Sequence, residues 1–157
     1  MNPIDFDQLL DAVGGTPVDL PGESYPSTIQ RVVTDSRDVE AGDLFVALPG
    51  SRHQGCEFLS DAAHRGAVAA IVGPAGIRYP GLACVRVADT LQALWDLSAW
   101  NRDRCGAMRI AVTGSFAKTT TRQMIQRVLS TGGPAFQSPG NCNNHVGLPL
   151  SLLGLEP

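Results

Sequence analysis

The stretch Arg109-Ile110-Ala111-Val112-Thr113-Gly114-Ser115-Phe116-Ala117-Lys118-Thr119-Thr120-Thr121 decides how this chain is read. Residues 109–113 are apolar and β-branched and predict a strand. Residues 114–117 predict a tight loop, and 118–130 a helix that Thr131-Gly132-Gly133-Pro134 breaks. A strand, a short loop and a helix N-terminus together make a setting for an anion. Backbone N–H groups converge there, and the helix dipole favours negative charge. In a phosphate loop, a lysine reaches the outer phosphates and the hydroxyl after it serves Mg²⁺. Gly114, Ser115, Lys118, Thr119 and Thr120 are the candidate phosphate contacts, and Thr119 is the candidate metal ligand. The full G-x-x-x-x-G-K-[ST] pattern wants glycine at Val112 and at Ala117. A Cβ at 117 crowds a close phosphate and costs about 1 kcal/mol if the backbone needs positive φ. On the local pattern alone, an ordinary strand–turn–helix with a solvated lysine serves equally well. Lys118 is, however, the only lysine beside eleven arginines, and a compact ammonium suits a phosphate here better than a planar fork.

The same alternation runs back along the chain. Residues 5–13 have the apolar spacing of a helix, stopped by Gly14-Gly15, and 16–28 read as loop. Strands are predicted at 29–34, 44–48, 67–72 and 84–87, with a helix at 57–65 ending at Gly66. A longer helix runs from an Asp89 N-cap to about Arg102, with Gln92 placed to complete a capping box. Beyond the loop, 135–138 predict a short strand, 140–144 a polar loop and 145–153 a last helix. Strands alternating with helices predict an α/β fold with mostly parallel pairing. Trp95 and Trp100 are read as core or domain-contact residues.

The 157 residues carry a net charge of −3, unevenly spread. Residues 1–103 hold seven basic and fourteen acidic side chains, whereas 104–157 hold five basic and one acidic, Glu156. Such a step suggests two units with different partners. Without a basic cluster, nucleic acid is a poor partner. No apolar run reaches a membrane span, and the N-terminus lacks the pattern of a signal peptide, so a cytoplasmic protein is expected. Cys56, Cys84, Cys105 and Cys142 form no C-x-x-C and are read as reduced thiols. His53, His64 and His145 have no metal-ligand spacing.

Two segments together resemble a known family. The first contains Asp35-Ser36-Arg37, Gly42-Asp43-Leu44-Phe45-Val46-Ala47-Leu48, Gly50, Gly55, Phe58, Ala62-Ala63 and Gly66-Ala67. The second contains Thr113-Gly114-Ser115, Lys118-Thr119-Thr120-Thr121 and Gly140-Asn141-Cys142-Asn143-Asn144-His145-Val146-Gly147-Leu148-Pro149-Leu150. In this order they resemble the Mur ligases, which extend the peptidoglycan stem peptide. The G-N-x-N-N-x-x-G-x-P-L run is most similar to the branch that adds D-alanyl-D-alanine, then to the branch that adds the third residue.

The resemblance implies a small α/β domain over 1–105 that holds the uridine end of a UDP-N-acetylmuramoyl-peptide, with Ser36 and Arg37 near it. It implies that 106–157 begin a P-loop, Rossmann-like ATP-binding domain. There Gly114, Ser115, Lys118, Thr119 and Thr120 would meet ATP, Thr119 would meet Mg²⁺, and Asn143 and Asn144 would line the cleft. Loop and cap hydrogen bonding is the alternative for the asparagines, and a turn with a surface ion pair is the alternative for Ser36-Arg37. Gln54-Gly55-Cys56 stands where the family usually has D-G-H. The family's later metal-binding acids, second lysine and C-terminal domain have no counterpart in these residues, so no catalytic residue is expected among them. An N-terminal part of an amide-forming ligase, inactive alone, is the first expectation. A non-catalytic interaction protein on the same scaffold, self-associating through an incomplete sheet, is the second. An unrelated P-loop phosphotransferase is a weaker third.

Overall fold

The computed structural model describes residues 1–18, 25–26, 28–50, 53–75, 77–140, 142 and 144–155. Helix α1 (Phe6–Val13) starts where Asp5 accepts from the Gln8 N–H and the Gln8 side chain returns to the Asp5 N–H. It stops at Gly14, whose left-handed backbone costs glycine nothing. Its apolar stripe, Phe6, Leu9 and Val13, is buried.

Five strands follow: β1 (Thr16–Pro17), β2 (Arg31–Val33), β3 (Asp43–Val46), β4 (Ala69–Val72) and β5 (Ala83–Arg86). They form one sheet in the order β1-β5-β4-β3-β2, parallel except for the β1–β5 edge pair. The short helix α2 (Leu59–His64) lies between β3 and β4, and α3 (Thr90–Arg104) follows β5. Strand periodicity sorts the core. Leu44, Val46, Ala69, Ile71 and Val85 join one buried cluster with α1 and α3 residues. Phe45, Ala47, Ala70, Val72 and Cys84 join another with Leu59 and Ala62 of α2. Both faces are therefore covered, which is why β3 and β4 read as unbroken apolar runs. Each large side chain so buried is worth roughly 1.5–3 kcal/mol.

Helices α4 (Lys118–Leu129) and α5 (Gly147–Leu153) complete the fold. Helix α5 packs back against α3 and β2, and its Leu153 belongs to the first buried cluster, with Val146 and Leu150 beside it. Asn101 of α3 is fully buried. Its Nδ2 donates to the carbonyls of Leu152, Leu153 and Leu155 at 2.9, 3.4 and 3.3 Å, and its Oδ1 accepts from the Asn2 N–H at 3.1 Å. Trp100 packs against the same cluster, with Arg104 over its ring.

Five expectations change. Thr16–Pro17, read as loop, is the edge strand β1, because it pairs with β5. Residues 109–113 are not a strand. A parallel strand exists only through its ladder, and among the described residues none pairs there, leaving Ile110 half exposed. Residues 135–138 lack a ladder for the same reason. Gln92 does not complete a capping box. Asp89 Oδ1 accepts from both the Leu91 and Gln92 N–H groups, while the Gln92 side chain donates forward to Asp96 at 2.8 Å. The helix expected at 57–65 divides into a 3₁₀ turn over Gly55–Phe58 and α2. Among the described residues no disulfide joins Cys56, Cys84, Cys105 or Cys142.

Candidate functional site

Parallel strands present their carboxyl ends as a crevice for ligands. The chain leaves β2 through Thr34 and enters a 3₁₀ turn over Ser36–Asp38, capped by the Asp35 carboxylate on the Arg37 N–H. The chain leaving β3 runs past Leu48 and Gly50 to the Gly55–Phe58 turn. Between them lies a cleft of about 580 Å³, lined by Asp35, Ser36, Arg37, Asp61 and His53 with Phe45, Leu48 and Phe58. Ser36 and Phe45 are buried and Phe58 stands half exposed.

The polar groups of this cleft hold one another. Arg37 closes on Asp35 with Nε to Oδ1 at 2.9 Å and Nη2 to Oδ2 at 2.5 Å. Ser36 Oγ donates to Asp61 Oδ2 at 3.0 Å. Arg65, one turn along α2, sits 3.9 Å from that carboxylate and donates to the Arg37 carbonyl at 3.2 Å. On the far side His53 Nδ1 lies 3.3 Å from Glu57, while its ring meets Phe58 edge-on. The side chain of Arg37, then its N–H, hold the Asp35 carboxyl down to about 2, against an ordinary 3.8.

That shift has a sign. A carboxyl whose folded pKa is depressed stabilises the fold above its unfolded pKa and loses the contribution as pH falls toward its folded one. The turn should therefore loosen between about pH 4 and pH 2. In Arg37→Ala, which keeps the N–H of residue 37, the Asp35 midpoint is expected to rise from about 2 toward 3.8 by carboxyl-carbon NMR. A midpoint that stays near 2 would refute the pairing.

The phosphate-loop candidates lie together at the start of α4, all exposed. Gly114 has φ 147°, and Ala117, the N-cap of α4, has φ 57°. The left-handed backbone that calls for glycine is thus present with a Cβ on it. Lys118 Nζ folds back to donate to the Gly114 carbonyl. Ala117→Gly is expected to raise stability by roughly 1 kcal/mol, read by urea unfolding, and to remove the Cβ in an anion's path. No gain would mean that the left-handed turn is not strained. Toward the metal, Thr119 offers a hydroxyl, but the described residues contain no group of three His, Cys, Asp or Glu side chains to complete a coordination shell. The described residues do not by themselves fit a resident Mg²⁺. Lys118 and the first turn of α4 offer an exposed ammonium and backbone N–H groups beside it.

Asn144 is a cap. Its Oδ1 accepts from the Val146 and Gly147 N–H groups at 3.1 and 2.6 Å and opens α5. Asn143 lies outside the described residues.

The profile described as Mur ligase family, catalytic domain, matches residues 28–99. The UDP-N-acetylmuramoyl-tripeptide–D-alanyl-D-alanine ligase of Escherichia coli K12 is 37% identical over 155 residues, which is 98% of this chain and 32% of that protein. The Bacillus subtilis ligase of the same name is 39% identical over 94% of this chain and 32% of its own length. A crystal structure of MurF from Acinetobacter baumannii superposes with a TM-score of 0.88 at 35% identity, over 99% of this chain and 34% of that one.

The chain belongs to the Mur ligase family.

It spans about a third of the length of the relatives it matches. The solved MurF ligase from Thermotoga maritima, in complex with ADP, is similar at 33% identity with a TM-score of 0.70, over 79% of this chain and 29% of that one. The Mur ligase profile takes in β2 through most of α3, and so the whole wall of the cleft. The phosphate loop falls outside it but within the span aligned to the E. coli relative. Among the described residues no helix is long and apolar enough to cross a membrane.

Within this Mur ligase segment, Ser36 and Arg37 line the cleft, and Gly114, Ser115, Lys118, Thr119 and Thr120 lie together at the loop and first turn of α4. Asp61 and His53 are cleft residues that the sequence did not single out. Asp61 meets Ser36 across 25 positions, and no local pattern signals such a pairing.

Proposed function

We propose that this chain forms the substrate-nucleotide and phosphate-loop portion of an ATP-dependent ligase that adds D-alanyl-D-alanine to a UDP-N-acetylmuramoyl-tripeptide. The observation that carries the reading is the cleft at the carboxyl ends of β2 and β3, with Ser36 and Arg37 in its wall, in a chain similar throughout to ligases of that name. Residues 1–105 take the nucleotide end of the substrate. Residues 106–157 begin the ATP-binding unit, with Lys118 toward phosphate and Mg²⁺ arriving with the nucleotide. Asn143 and Asn144 border that cleft. ATP and a nucleotide-linked substrate imply a cytoplasmic site of action. The chain alone is not expected to ligate.

Calorimetric titration with a UDP-N-acetylmuramoyl-tripeptide and, separately, with Mg-ATP tests this. Saturable binding of the UDP compound is expected, and a flat titration would sink the assignment. A second reading has its own support. Met108, Phe116, Met124 and Val128 are 84, 91, 61 and 69% exposed, beside an apolar groove of about 210 Å³ between residues 107–112, α4 and α5. A non-catalytic interaction protein that self-associates through this face would sediment as a concentration-dependent oligomer. A monomer at every concentration ends that reading.

A further inference from the structure

Residues 109–113 have the composition of a strand, yet among the described residues no backbone hydrogen bond engages them. Beside them runs the groove of about 210 Å³, closed by residues 135–138, α4 and α5. Met108, Ile110, Leu129, Phe136 and Leu148 line it and are all exposed. Two polar atoms of groove residues, Arg122 Nε and Gln137 Oε1, are buried with no hydrogen-bond partner among the described residues. One is a donor and the other an acceptor, and buried groups of either kind are ordinarily satisfied. A helix brings neither partner, because its backbone groups are spent internally. An extended backbone brings a carbonyl and an N–H together, and it supplies the ladder that 109–113 lack.

Charge narrows the occupant further. Arg109 and Arg122 both line the groove. Arg109 donates to the carbonyls of Arg102 and Cys105, each at 2.8 Å. Arg122 donates to Ser138 Oγ at 2.7 Å and to the Gly140 carbonyl at 2.9 Å. All four partners are neutral. Asp103, whose charge reaches Arg109, is itself paired with Arg102 at 2.8 Å. A second copy does not suit this face, since its residues 104–157 bring five more cations and one acid. Complementary charge favours an interface and like charge opposes it.

We propose that the groove takes an extended apolar strand that carries carboxylates, contributed by the part of the ligase that lies outside these residues. The chain spans about a third of its relatives' length, and the inference rests on the ligase reading above. The strand lays its backbone along 109–113, as in strand addition to an open edge. Alternate side chains enter the groove, and the carboxylates meet Arg109 and Arg122.

The test adds two peptides to the full chain. One is a valine-rich octapeptide with a glutamate near each end, and the other has lysine in place of each glutamate. The glutamate peptide is expected to shift the Arg122 Nε–H resonance, to slow amide exchange within 109–113, and to bind at least tenfold more tightly than its twin. In Arg109→Glu that ratio is expected to fall below threefold. Equal binding of the two peptides, or binding of neither, overturns the inference. So does binding that leaves Arg122 Nε–H and the 109–113 amides unchanged. Exchange that slows with rising protein concentration alone gives the face to a second copy and also overturns it. The ligase reading is read separately in the same samples. Saturable binding of a UDP-N-acetylmuramoyl-tripeptide beside failed peptides removes only the strand inference, whereas a flat UDP titration removes the ligase reading itself.

Discussion

Asn101→Ala is expected to destabilise the protein by about 2–4 kcal/mol, a large part of the 5–15 kcal/mol that holds a domain of this size together. The side chain is fully buried and serves four backbone groups. Three are carbonyls at or just past the end of α5, and of these Leu152 O also accepts from the Leu155 N–H at 3.3 Å. The fourth is the Asn2 N–H. Alanine strands the buried Leu153 carbonyl and removes a partner from the part-buried Leu155 carbonyl and Asn2 N–H, and a buried orphan costs about 1–3 kcal/mol before relaxation. Leucine, of similar volume, restores the packing without the hydrogen bonds. Asn101→Leu is therefore expected to recover little. Urea denaturation followed by circular dichroism measures both variants. A loss below about 0.5 kcal/mol, the range of ordinary surface changes, would show that the clamp contributes nothing net.

Gly55→Ala carries the second large effect, and it acts on site and fold together. A Cβ there would stand 2.4 Å from the Ala47 carbonyl carbon, 2.6 Å from Leu48 O and 2.7 Å from Ala47 Cα. These are backbone atoms at the exit of β3, not the far end of a yielding side chain. Gly55 N–H also donates to Leu48 O at 3.0 Å, which ties the turn to the strand. The variant must either bend β3 or detach the Gly55–Phe58 turn, and both move the wall that carries Leu48 and Phe58. Overpacking of this kind costs roughly 1–3 kcal/mol or more, and affinity for the UDP ligand should fall at least tenfold. Gly42→Ala is the control. Gly42 has φ 91° but nothing within 4 Å of its would-be Cβ, so only backbone strain is added, about 1 kcal/mol. If the two variants unfold alike and bind alike, close packing at Gly55 is not what selects glycine.

The sequence and the structure agree most closely where the physics is local. The Asp5–Gln8 cap, the stop at Gly14 and the paired faces of β3 and β4 are written in neighbouring residues. The left-handed turn at residue 117 was anticipated because the surrounding pattern wants glycine, and the structure puts φ 57° on the alanine. What escaped depends on distant partners. Residues 109–113 have the composition of a strand, but composition supplies no ladder. A capping box needs Gln92 to accept from the Asp89 N–H, but its side chain instead donates to Asp96 one turn ahead. Asp61 became a cleft residue only when α2 brought it to Ser36.

The return of α5 onto α3 also orders the birth of the molecule. Asn101 and Leu155 are 54 residues apart in the chain. At a synthesis rate of about 5–20 residues per second, α3 leaves the ribosome roughly 3–10 s before the carbonyls it must hold. During that interval the sheet has all five strands but lacks Leu153 from its core, and the face of α3 that receives it stays wet. Asn101 is therefore a late latch. The nascent chain cannot complete its first core until the segment carrying the phosphate loop has already been made.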